Sequence, residues 1–321
     1  MTQKILKQFA SADIVECDRY GEIFNRKAQD FRLQKQRPSL VLARKFTNHV
    51  LSVPSGYGVG GTHNYYFSVM LNCIYDCRYC FLQGMYRSAH HVVFVNYDDF
   101  AQSIKSTVAE HDSNDQVWFF SGYDCDSLAM EPIIGMAQYF IGTVSALENV
   151  WLELRTKSTQ IRSLLTREVV PNVVTAFSLT PQRISSSLEH KVPQLDKRIA
   201  AMERLQERGW KIGLRFDPLI FVPDYRSQYL ELMERIFSAV DADLIHSVTI
   251  GAFRLPKEFY RTVGNLYPDS RFVAQPFELR NGAVTYPKSV EMDMKWWCYE
   301  QLGRFMDLDT VHIDELVLDP Q

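Results

Sequence analysis

The chain has 321 residues, of which 46% are hydrophobic and 23% are charged, with 35 lysines and arginines against 38 aspartates and glutamates. This composition is typical of a globular protein with a sizeable core, and it excludes a disordered chain, a collagen-like rod and a coiled coil. The formal net charge of -3 argues against a uniformly positive surface for holding DNA, although it is compatible with a local basic face.

The first 62 residues show no alternation of strands and helices, and we interpret them as an N-terminal extension packed on the main domain. They contain no apolar segment and cleavage site of the signal-peptide type. No stretch of the chain has the roughly 18 consecutive apolar residues of a membrane span, so we expect a cytoplasmic protein with reduced cysteines and no membrane partner. The extension also contains a basic stretch with Arg26, Lys27, Arg32, Lys35, Arg37, Arg44 and Lys45 against Asp30.

From residue 63 to residue 255, short apolar runs alternate with amphipathic stretches, which is the pattern of repeated strand–helix units. The predicted strands are Tyr65–Leu71, Val117–Ser121, Val150–Arg155, Val173–Leu179, Lys211–Phe216 and Ile245–Ile250. The predicted helices are Tyr97–Glu110, Ser127–Leu147, Thr159–Thr166, Asp196–Arg208 and Tyr225–Val240. We therefore predict an α/β fold in which a parallel sheet is closed or partly closed into a barrel. In such barrels the chemistry lies at the C-terminal ends of the strands.

Three cysteines follow the first predicted strand in a Cys-x3-Cys-x2-Cys pattern, namely Cys73, Cys77 and Cys80. A structural zinc site takes four ligands, and an electron-transfer [4Fe–4S] cluster usually takes four cysteines. Three cysteines therefore indicate a cluster in which one iron is open to a ligand that is not protein. Two other interpretations stay open: a zinc site completed by His90 or His91, and three buried thiols without a metal.

This motif, with the aromatic Tyr79 directly before the third cysteine, resembles the cluster motif of the radical S-adenosylmethionine (SAM) superfamily. The resemblance implies two cofactors, a [4Fe–4S] cluster and SAM, whose amino and carboxylate groups bind the open iron. It also implies cleavage of SAM to a 5′-deoxyadenosyl radical that abstracts hydrogen from a substrate. A one-electron reductant such as flavodoxin or ferredoxin is then a partner.

Further segments resemble the spore photoproduct lyase family, over roughly residues 40–305. In chain order they are Tyr79–Gly84, Val93–Asn96, Arg155–Lys157, Phe177–Leu179, Gly213–Pro218 and Val284–Lys288. The resemblance implies a partial (β/α)6 barrel of the radical SAM type and a lyase-like repair reaction on a damaged pyrimidine in DNA. Two alternatives stay open: the same radical chemistry on a small molecule or peptide, and a cluster-binding protein without turnover.

The resemblance also assigns the cluster loop residue by residue. It implies that Cys73, Cys77 and Cys80 ligate the cluster. It further implies that the backbone from Tyr79 to Phe81 borders the adenine of SAM.

Three residues at successive strand ends correspond to positions that contact SAM in the family: Gly122, Lys157 and Ser178. A lysine can meet the SAM carboxylate as a compact positive charge, and a serine can hydrogen-bond to amino or ribose groups. A glycine lets the backbone approach the amino group of SAM. Arg215 is a further candidate for cofactor binding. Each of the three residues also has an alternative interpretation without a cofactor. Lys157 would be a solvated lysine at the start of a helix, Ser178 a strand-end residue whose hydroxyl bonds to its own backbone, and Gly122 only a turn residue.

The segment after the second strand departs from the family pattern, in which a cysteine returns a hydrogen atom to the product radical. Alignment on Asp126 and Glu131 places Tyr123 at that position, with Cys125 two residues later. Either residue is a candidate hydrogen-atom donor, unless the enzyme runs a different reaction or Cys125 is simply a small buried residue. Phe81 occupies the place of a tyrosine that relays the radical in the family, and it has no O–H group.

Residues 256–321 form a C-terminal segment for which we predict a β-hairpin and a helix. Arg280 precedes an Asn-Gly pair between two apolar runs, which is a strong signal for a two-residue hairpin turn. The resemblance implies that this hairpin wedges into DNA, with Arg271, Arg280 and Lys288 as candidate nucleic-acid contacts beside the basic stretch of the extension. A hairpin that only closes the barrel is the alternative.

The last fifteen residues contain five acidic residues and no lysine or arginine. We expect a monomer.

Overall fold

A computed structural model of the chain describes residues 1–54 and 58–313, so residues 55–57 and 314–321, with the acidic Asp314, Glu315 and Asp319, lie outside the described part. The strands are β1 (Leu40–Ala43), β2 (Leu51–Ser52), β3 (His63–Phe67), β4 (Met70–Leu71), β5 (Asp76–Cys77), β6 (His91–Phe94), β7 (Val117–Ser121), β8 (Val150–Thr156), β9 (Val173–Ser178), β10 (Glu189–His190), β11 (Lys211–Leu219), β12 (Ile245–Ala252), β13 (Arg254–Pro256), β14 (Glu278–Arg280), β15 (Ala283–Thr285) and β16 (Val311–Ile313).

The α-helices lie before, between and after these strands in the chain. They are α1 (Thr2–Leu6), α2 (Gly21–Phe24), α3 (Phe31–Gln34), α4 (Leu82–Met85), α5 (Tyr97–Val108), α6 (Glu131–Ile134), α7 (Met136–Val144), α8 (Arg162–Leu165), α9 (Gln182–Leu188), α10 (Leu195–Glu207), α11 (Tyr225–Phe237), α12 (Lys257–Leu266) and α13 (Lys288–Leu302). Among the described residues, no helix combines the length and the apolar composition needed to cross a membrane.

The central feature is an eight-stranded sheet in the order β16-β12-β11-β9-β8-β7-β3-β2. All neighbours pair in parallel except β2 and β3, which are antiparallel. Its six central strands are the six predicted from the sequence, in chain order. Because β2 and β16 remain as edges, the barrel is open, which confirms the predicted partial barrel.

Two predicted elements are interrupted in the structure. The first predicted strand divides, since β3 ends at Phe67 while β4 belongs to a separate sheet with β6 and β1. The predicted helix over Ser127–Leu147 also divides, into α6 and α7, because Gly135 has a left-handed backbone with φ of 59°. Glu131 then accepts hydrogen bonds from the N–H groups of Ala137 and Gln138 at the start of α7.

The N-terminal extension packs on the barrel. Ile5 and Phe24 are buried in the same apolar core as the barrel strands, and β1 pairs in parallel with β6. The Gln8 amide also donates to the carbonyl of Ile133 at 3.3 Å. The proposed boundary at residue 62 stays a prediction, as does the boundary at residue 255.

The predicted C-terminal hairpin is formed by β14 and β15, which pair antiparallel. Asn281 and Gly282 connect them with φ of 50° and 79°, as a two-residue turn with positive φ at both positions requires. On its other side β15 pairs with β13, which directly follows β12. The hairpin is therefore attached to the last central strand, at the C-terminal end of the barrel.

Candidate active site at the mouth of the barrel

A cavity of about 490 Å³ lies at the C-terminal ends of the parallel strands. Gly122 follows β7, Lys157 follows β8, Ser178 ends β9 and Asp217 belongs to β11, and all four line the cavity. The cluster loop, residues 72–81, borders the same space. The cavity is thus at the position where parallel barrels carry their chemistry.

The three cysteines predicted as cluster ligands all line this cavity, and none of them is in a disulfide. Burial raises the pKa of each thiol, and the nearby carboxylates Asp126 and Glu189 further raise the pKa of Cys73 and Cys77 respectively. Metal binding requires thiolates, and it is a bound metal that stabilises the deprotonated form in such surroundings. Three free thiols grouped on one cavity wall fit the donor set of an iron–sulfur cluster.

The alternative of a zinc site requires His90 or His91 to join the three cysteines. Within residues 1–54 and 58–313, no three histidine, cysteine, aspartate or glutamate side chains converge on a point that could hold one metal ion. The ring of His90 instead accepts a hydrogen bond from the Ser39 N–H at 3.0 Å. In a [4Fe–4S] cluster each cysteine binds a different iron, so its ligands surround the cluster instead of meeting at one ion.

The aromatic residues on either side of Cys80, Tyr79 and Phe81, have different surroundings. Tyr79 is buried, and its hydroxyl donates a hydrogen bond to the carboxylate of Glu189. Phe81 is half-buried on the cavity wall, with its ring centroid 5.7 Å from that of Tyr123. The segment between them therefore borders the cavity, as the prediction for adenine binding requires.

Lys157 and Ser178 are fixed by buried charged residues. The Lys157 ammonium lies 3.0 Å from Oε1 of Glu189, and the lysine side chain is 13% exposed. Lys157 therefore lines the cavity while it is ion-paired with Glu189. The carbonyl of Ser178 accepts a hydrogen bond from Arg198 at 3.1 Å. Lys157 is therefore not the freely solvated side chain of the alternative interpretation, whereas the role of the Ser178 hydroxyl stays a prediction.

Asp126 joins the loop after β7 to the loop after β8. Its Oδ1 accepts from the N–H groups of Leu128 and Ala129 and from the hydroxyl of Thr156, and its Oδ2 accepts from the N–H of Lys157 at 2.6 Å. Burial raises the pKa of this carboxyl, while these hydrogen bonds oppose the increase. An aspartate in the loop after a strand commonly accepts from backbone N–H groups two and three residues later, and this is the signal by which the sequence could have indicated this role of Asp126.

Gly122 occupies a position that only glycine fits without strain. Its φ is +81°, and a Cβ there would lie 2.5 Å from Oγ of Ser127 and 3.1 Å from the carbonyl oxygen of Arg155. Gly122 is therefore a turn glycine, and its backbone also lines the cavity predicted to hold SAM.

Arg215 lies below the cavity and is not among the described residues that line it. It forms a fully buried ion pair with Glu153 at 2.7 Å, and Glu153 also contacts Arg155 at 3.0 Å. Burial alone would raise the pKa of Glu153, but the two arginines lower it to about 2. Because Arg155 does line the cavity, Arg215 reaches the site through Glu153 and Arg155 rather than by direct contact.

Both candidate hydrogen-atom donors line the cavity. The ring of Tyr123 stacks on Tyr66 with centroids 4.4 Å apart. Burial raises the pKa of Cys125, and Asp124 and Asp126 raise it further, so this residue keeps its S–H. The geometry brings both residues to the site and retains both as candidates.

The candidate nucleic-acid contacts differ in their surroundings. Arg280 is ion-paired with Glu291 and lies 3.6 Å from Glu278, so its charge is already compensated within the protein. Arg271 and Lys288 are exposed. The ion pairs of Arg280 therefore make it a weaker candidate for contacting phosphates. Arg271 and Lys288 stay predicted nucleic-acid contacts.

Part of the basic stretch in the extension faces inward. Lys35 is 16% exposed, lines the cavity and pairs with Asp76 of the cluster loop at 2.6 Å. Asp76 also pairs with Arg78 at 3.2 Å. Lys35 therefore supports the cluster loop, and the exposed part of the stretch is reduced to Arg26, Lys27, Arg32, Arg37 and Arg44.

Comparison with known proteins gives one family. The model of the spore photoproduct lyase family matches residues 29–286, which is well over half of the chain. The spore photoproduct lyase of Bacillus subtilis (strain 168) is 21% identical over 202 residues, which cover 62% of this chain and 59% of the relative. The enzyme of the same name from Geobacillus sp. is 21% identical over 211 residues, covering 64% and 61%. The matched part thus spans about three-fifths of these relatives.

Solved structures of spore photoproduct lyase share the fold. A mutant with bound AdoMet and dinucleoside spore photoproduct superposes with a TM-score of 0.78 at 17% identity, covering 97% of this chain and 93% of the other. A second mutant gives a TM-score of 0.82 at 17% identity and the same coverage. A complex with dinucleoside spore photoproduct gives 0.78 at 17% identity, again with the same coverage.

Proposed function

Because the chain belongs to the spore photoproduct lyase family, we propose that it is a radical SAM enzyme that repairs a pyrimidine photoproduct in DNA. One observation carries this proposal. Three cysteines of one loop and the residues Gly122, Lys157 and Ser178, at the ends of three different strands, line a single cavity at the mouth of the barrel.

The residues of the cavity divide between two cofactors. Cys73, Cys77 and Cys80 would hold a [4Fe–4S] cluster, and Lys157 and Ser178 would hold SAM by its carboxylate and its polar groups. When bound, the cluster and SAM supply the electron and the radical for hydrogen abstraction. The protein binds and orients them in a largely apolar cavity, whose lining includes Phe120, Phe253 and Leu255.

The DNA substrate is supported by family membership and by the dinucleoside spore photoproduct held by solved relatives. The exposed Arg271 and Lys288 lie to either side of the hairpin in the sequence, where they would contact phosphates. The compensated charge of Arg280 favours the second candidate, the same chemistry on a small molecule or peptide. The two candidates differ in product and in their dependence on DNA.

The decisive experiment incubates anaerobically purified, reduced protein with SAM and an oligonucleotide that contains a spore photoproduct. We expect about four irons per chain, formation of 5′-deoxyadenosine and restored thymine. The Cys77→Ala variant should lose iron and product, whereas Cys298→Ala, at a buried cysteine away from the cavity, should retain both. Iron-loaded protein that releases no 5′-deoxyadenosine would contradict the proposal, and 5′-deoxyadenosine without thymine would favour the second candidate.

The hydrogen-atom donor can be identified with Cys125→Ala and Tyr123→Phe. Each variant removes one S–H or O–H group from the cavity but leaves the cysteines of the cluster loop in place. We expect SAM cleavage to continue in both, while loss of the true donor diverts the product radical and lowers the yield of thymine. Full thymine yield in both variants would remove both residues from the mechanism.

The proposed setting follows from the chemistry. The reaction takes one electron from a reductant of the flavodoxin or ferredoxin type, and the six free cysteines fit a reducing cytoplasm. We propose that the enzyme acts there as a monomer.

A further inference from the structure

Glu189 is a fully buried carboxylate behind the cavity, and the sequence gives no sign of its importance. It lies in β10, where its backbone is paired with Cys77 of β5. Its side chain is 0% exposed. Five side chains from five separate segments contact it, namely Tyr79, Lys157, Thr180, Ser185 and Arg198.

The two oxygens of Glu189 have different partners. Oε1 contacts the groups of the site: it accepts from the hydroxyl of Tyr79 and from Thr180 at 2.9 Å, and it lies 3.0 Å from the ammonium of Lys157. Oε2 contacts the scaffold, where it accepts from Ser185 at 2.6 Å and from Arg198 at 3.0 Å. One carboxylate thus connects the cluster loop and the lysine of the cavity to helices α9 and α10.

Arg198 extends this network to the third predicted cofactor position. It is fully buried, and it donates to the carbonyl of Ser178 at 3.1 Å as well as to Glu189. The network therefore includes the cluster loop, Lys157 and the end of β9. These three segments are adjacent in space but separated by up to about a hundred residues in the chain.

The charges explain why the residue must be a carboxylate. Glu189 lies between two cations, since its Oε1 is 3.0 Å from the Lys157 ammonium and its Oε2 is 3.0 Å from the Arg198 guanidinium. An ionised Glu189 between two cations is a paired buried charge. Removing that charge would leave both cations without compensation in a region that excludes water.

We propose that Glu189 is a positioning residue that holds the Lys157 ammonium and the cluster loop in one fixed arrangement for SAM binding. The inference rests on the proposed function, because Lys157 is the residue assigned to the SAM carboxylate. A long lysine side chain has many rotamers, and the pair with Glu189 restricts it before the ligand arrives.

The first test uses Glu189→Gln, which keeps the size of the side chain and removes its charge. In the iron-loaded protein we expect the Kd for SAM to rise about tenfold. In the metal-free protein we expect Cys77 and Cys80 to be alkylated about tenfold faster, with no change at the buried Cys298, which reports global opening. The matched control is Glu291→Gln, at a buried carboxylate paired with Lys295 and Arg280 away from the cavity, which should change neither quantity.

The second test separates positioning from general structure. In a Lys157→Met background, Glu189→Gln should change the Kd for SAM by less than twofold, because the residue it positions is gone. An equal loss of affinity in both backgrounds would overturn the part of the inference that concerns Lys157.

A third variant covers the case in which Glu189→Gln does not fold. Tyr79→Phe removes one hydroxyl from Oε1 and should accelerate alkylation of Cys77 relative to Cys298. If Tyr79→Phe leaves the alkylation rate of Cys77 unchanged, the inference for the cluster loop is overturned. It is likewise overturned if folded Glu189→Gln has normal affinity for SAM and a normal alkylation rate. Wild-type protein that binds no SAM would instead contradict the proposed function, and the alkylation comparison would still decide the role of Glu189 in the loop.

Discussion

Single residues at the strand ends determine the shape of the cavity wall, and Gly122 is the clearest case. Its backbone has a φ of +81°, in the left-handed region that favours glycine. Its missing Cβ also leaves room for the close approach of Ser127 and of the backbone at Arg155. A side chain at this position would therefore both strain the backbone and collide with neighbouring atoms.

We predict that Gly122→Ala lowers the free energy of unfolding by about 1–3 kcal/mol, because the new Cβ meets both strain and backbone contact. Urea unfolding followed by tryptophan fluorescence measures this change. Gly142→Ala is the matched control, because Gly142 is an exposed residue of helix α7 and a Cβ added there would meet no atom within 4 Å outside its own helix backbone. This substitution should raise the free energy of unfolding by about 0.5–1 kcal/mol. Equal stabilities of the two variants would contradict the prediction.

Strands that are next-nearest neighbours in the barrel sheet are joined by the buried pair of Glu153 and Arg215. Glu153 belongs to β8 and Arg215 to β11, with β9 between them in the sheet. Arg215 also donates to the carbonyl of Ser247 in β12 at 3.0 Å. This buried network is connected through Glu153 to Arg155, which lines the cavity.

We predict that the pair makes the fold sensitive to acid. The pKa of Glu153 falls from an ordinary 4.5 to about 2 in the folded protein, so its contribution to stability is complete above about pH 4.5 and is lost as the pH falls toward 2. Glu153→Gln should lower the free energy of unfolding at pH 7 by about 3–5 kcal/mol, since Arg215 is left unpaired, and should flatten the decrease in stability between pH 5 and 2.

The measurement for this prediction is urea unfolding at a series of pH values. Glu258→Gln serves as its control, because that exposed carboxylate pairs with the similarly exposed Arg261 and its loss should cost less than about 1 kcal/mol. Parallel pH curves for wild type and Glu153→Gln would disprove the assignment.

At the scale of the whole molecule, a near-neutral net charge conceals an uneven distribution. The extension carries exposed basic residues, whereas Lys35 of the same stretch is turned toward the cluster loop. In the C-terminal segment, Arg271 and Lys288 are exposed while Arg280 is compensated by Glu278 and Glu291. Contacts to a DNA backbone are therefore expected from the exposed residues and not from Arg280.

We predict a salt-dependent binding of duplex DNA in which Arg271→Ala and Lys288→Ala together reduce the slope of log K against log salt by about two. Arg280→Ala should leave that slope unchanged, because its charge is already neutralised within the protein. Fluorescence anisotropy over a range of KCl concentrations measures the slope. A larger change for Arg280→Ala than for the double variant would reverse the assignment.

The sequence alone determined the six central strands, the hairpin turn and the three cysteines that line the cavity. These features depend on local information: β-branched periodicity, an Asn-Gly pair and the spacing of one loop. The same periodicity could not find the break after Phe67 or the division of the helix at Gly135. Apolar residues continue through both places, and only packing and backbone conformation distinguish them.

The tertiary structure alone decided how the site is held together. The contact between Tyr79 and Glu189 joins residues 110 positions apart, and the pair of Glu153 and Arg215 joins residues 62 positions apart. The compensation of Arg280 likewise depends on a helix that packs against the hairpin. A buried charge is stable only beside its partner, and chain folding brings that partner from a distance at which sequence patterns carry no information.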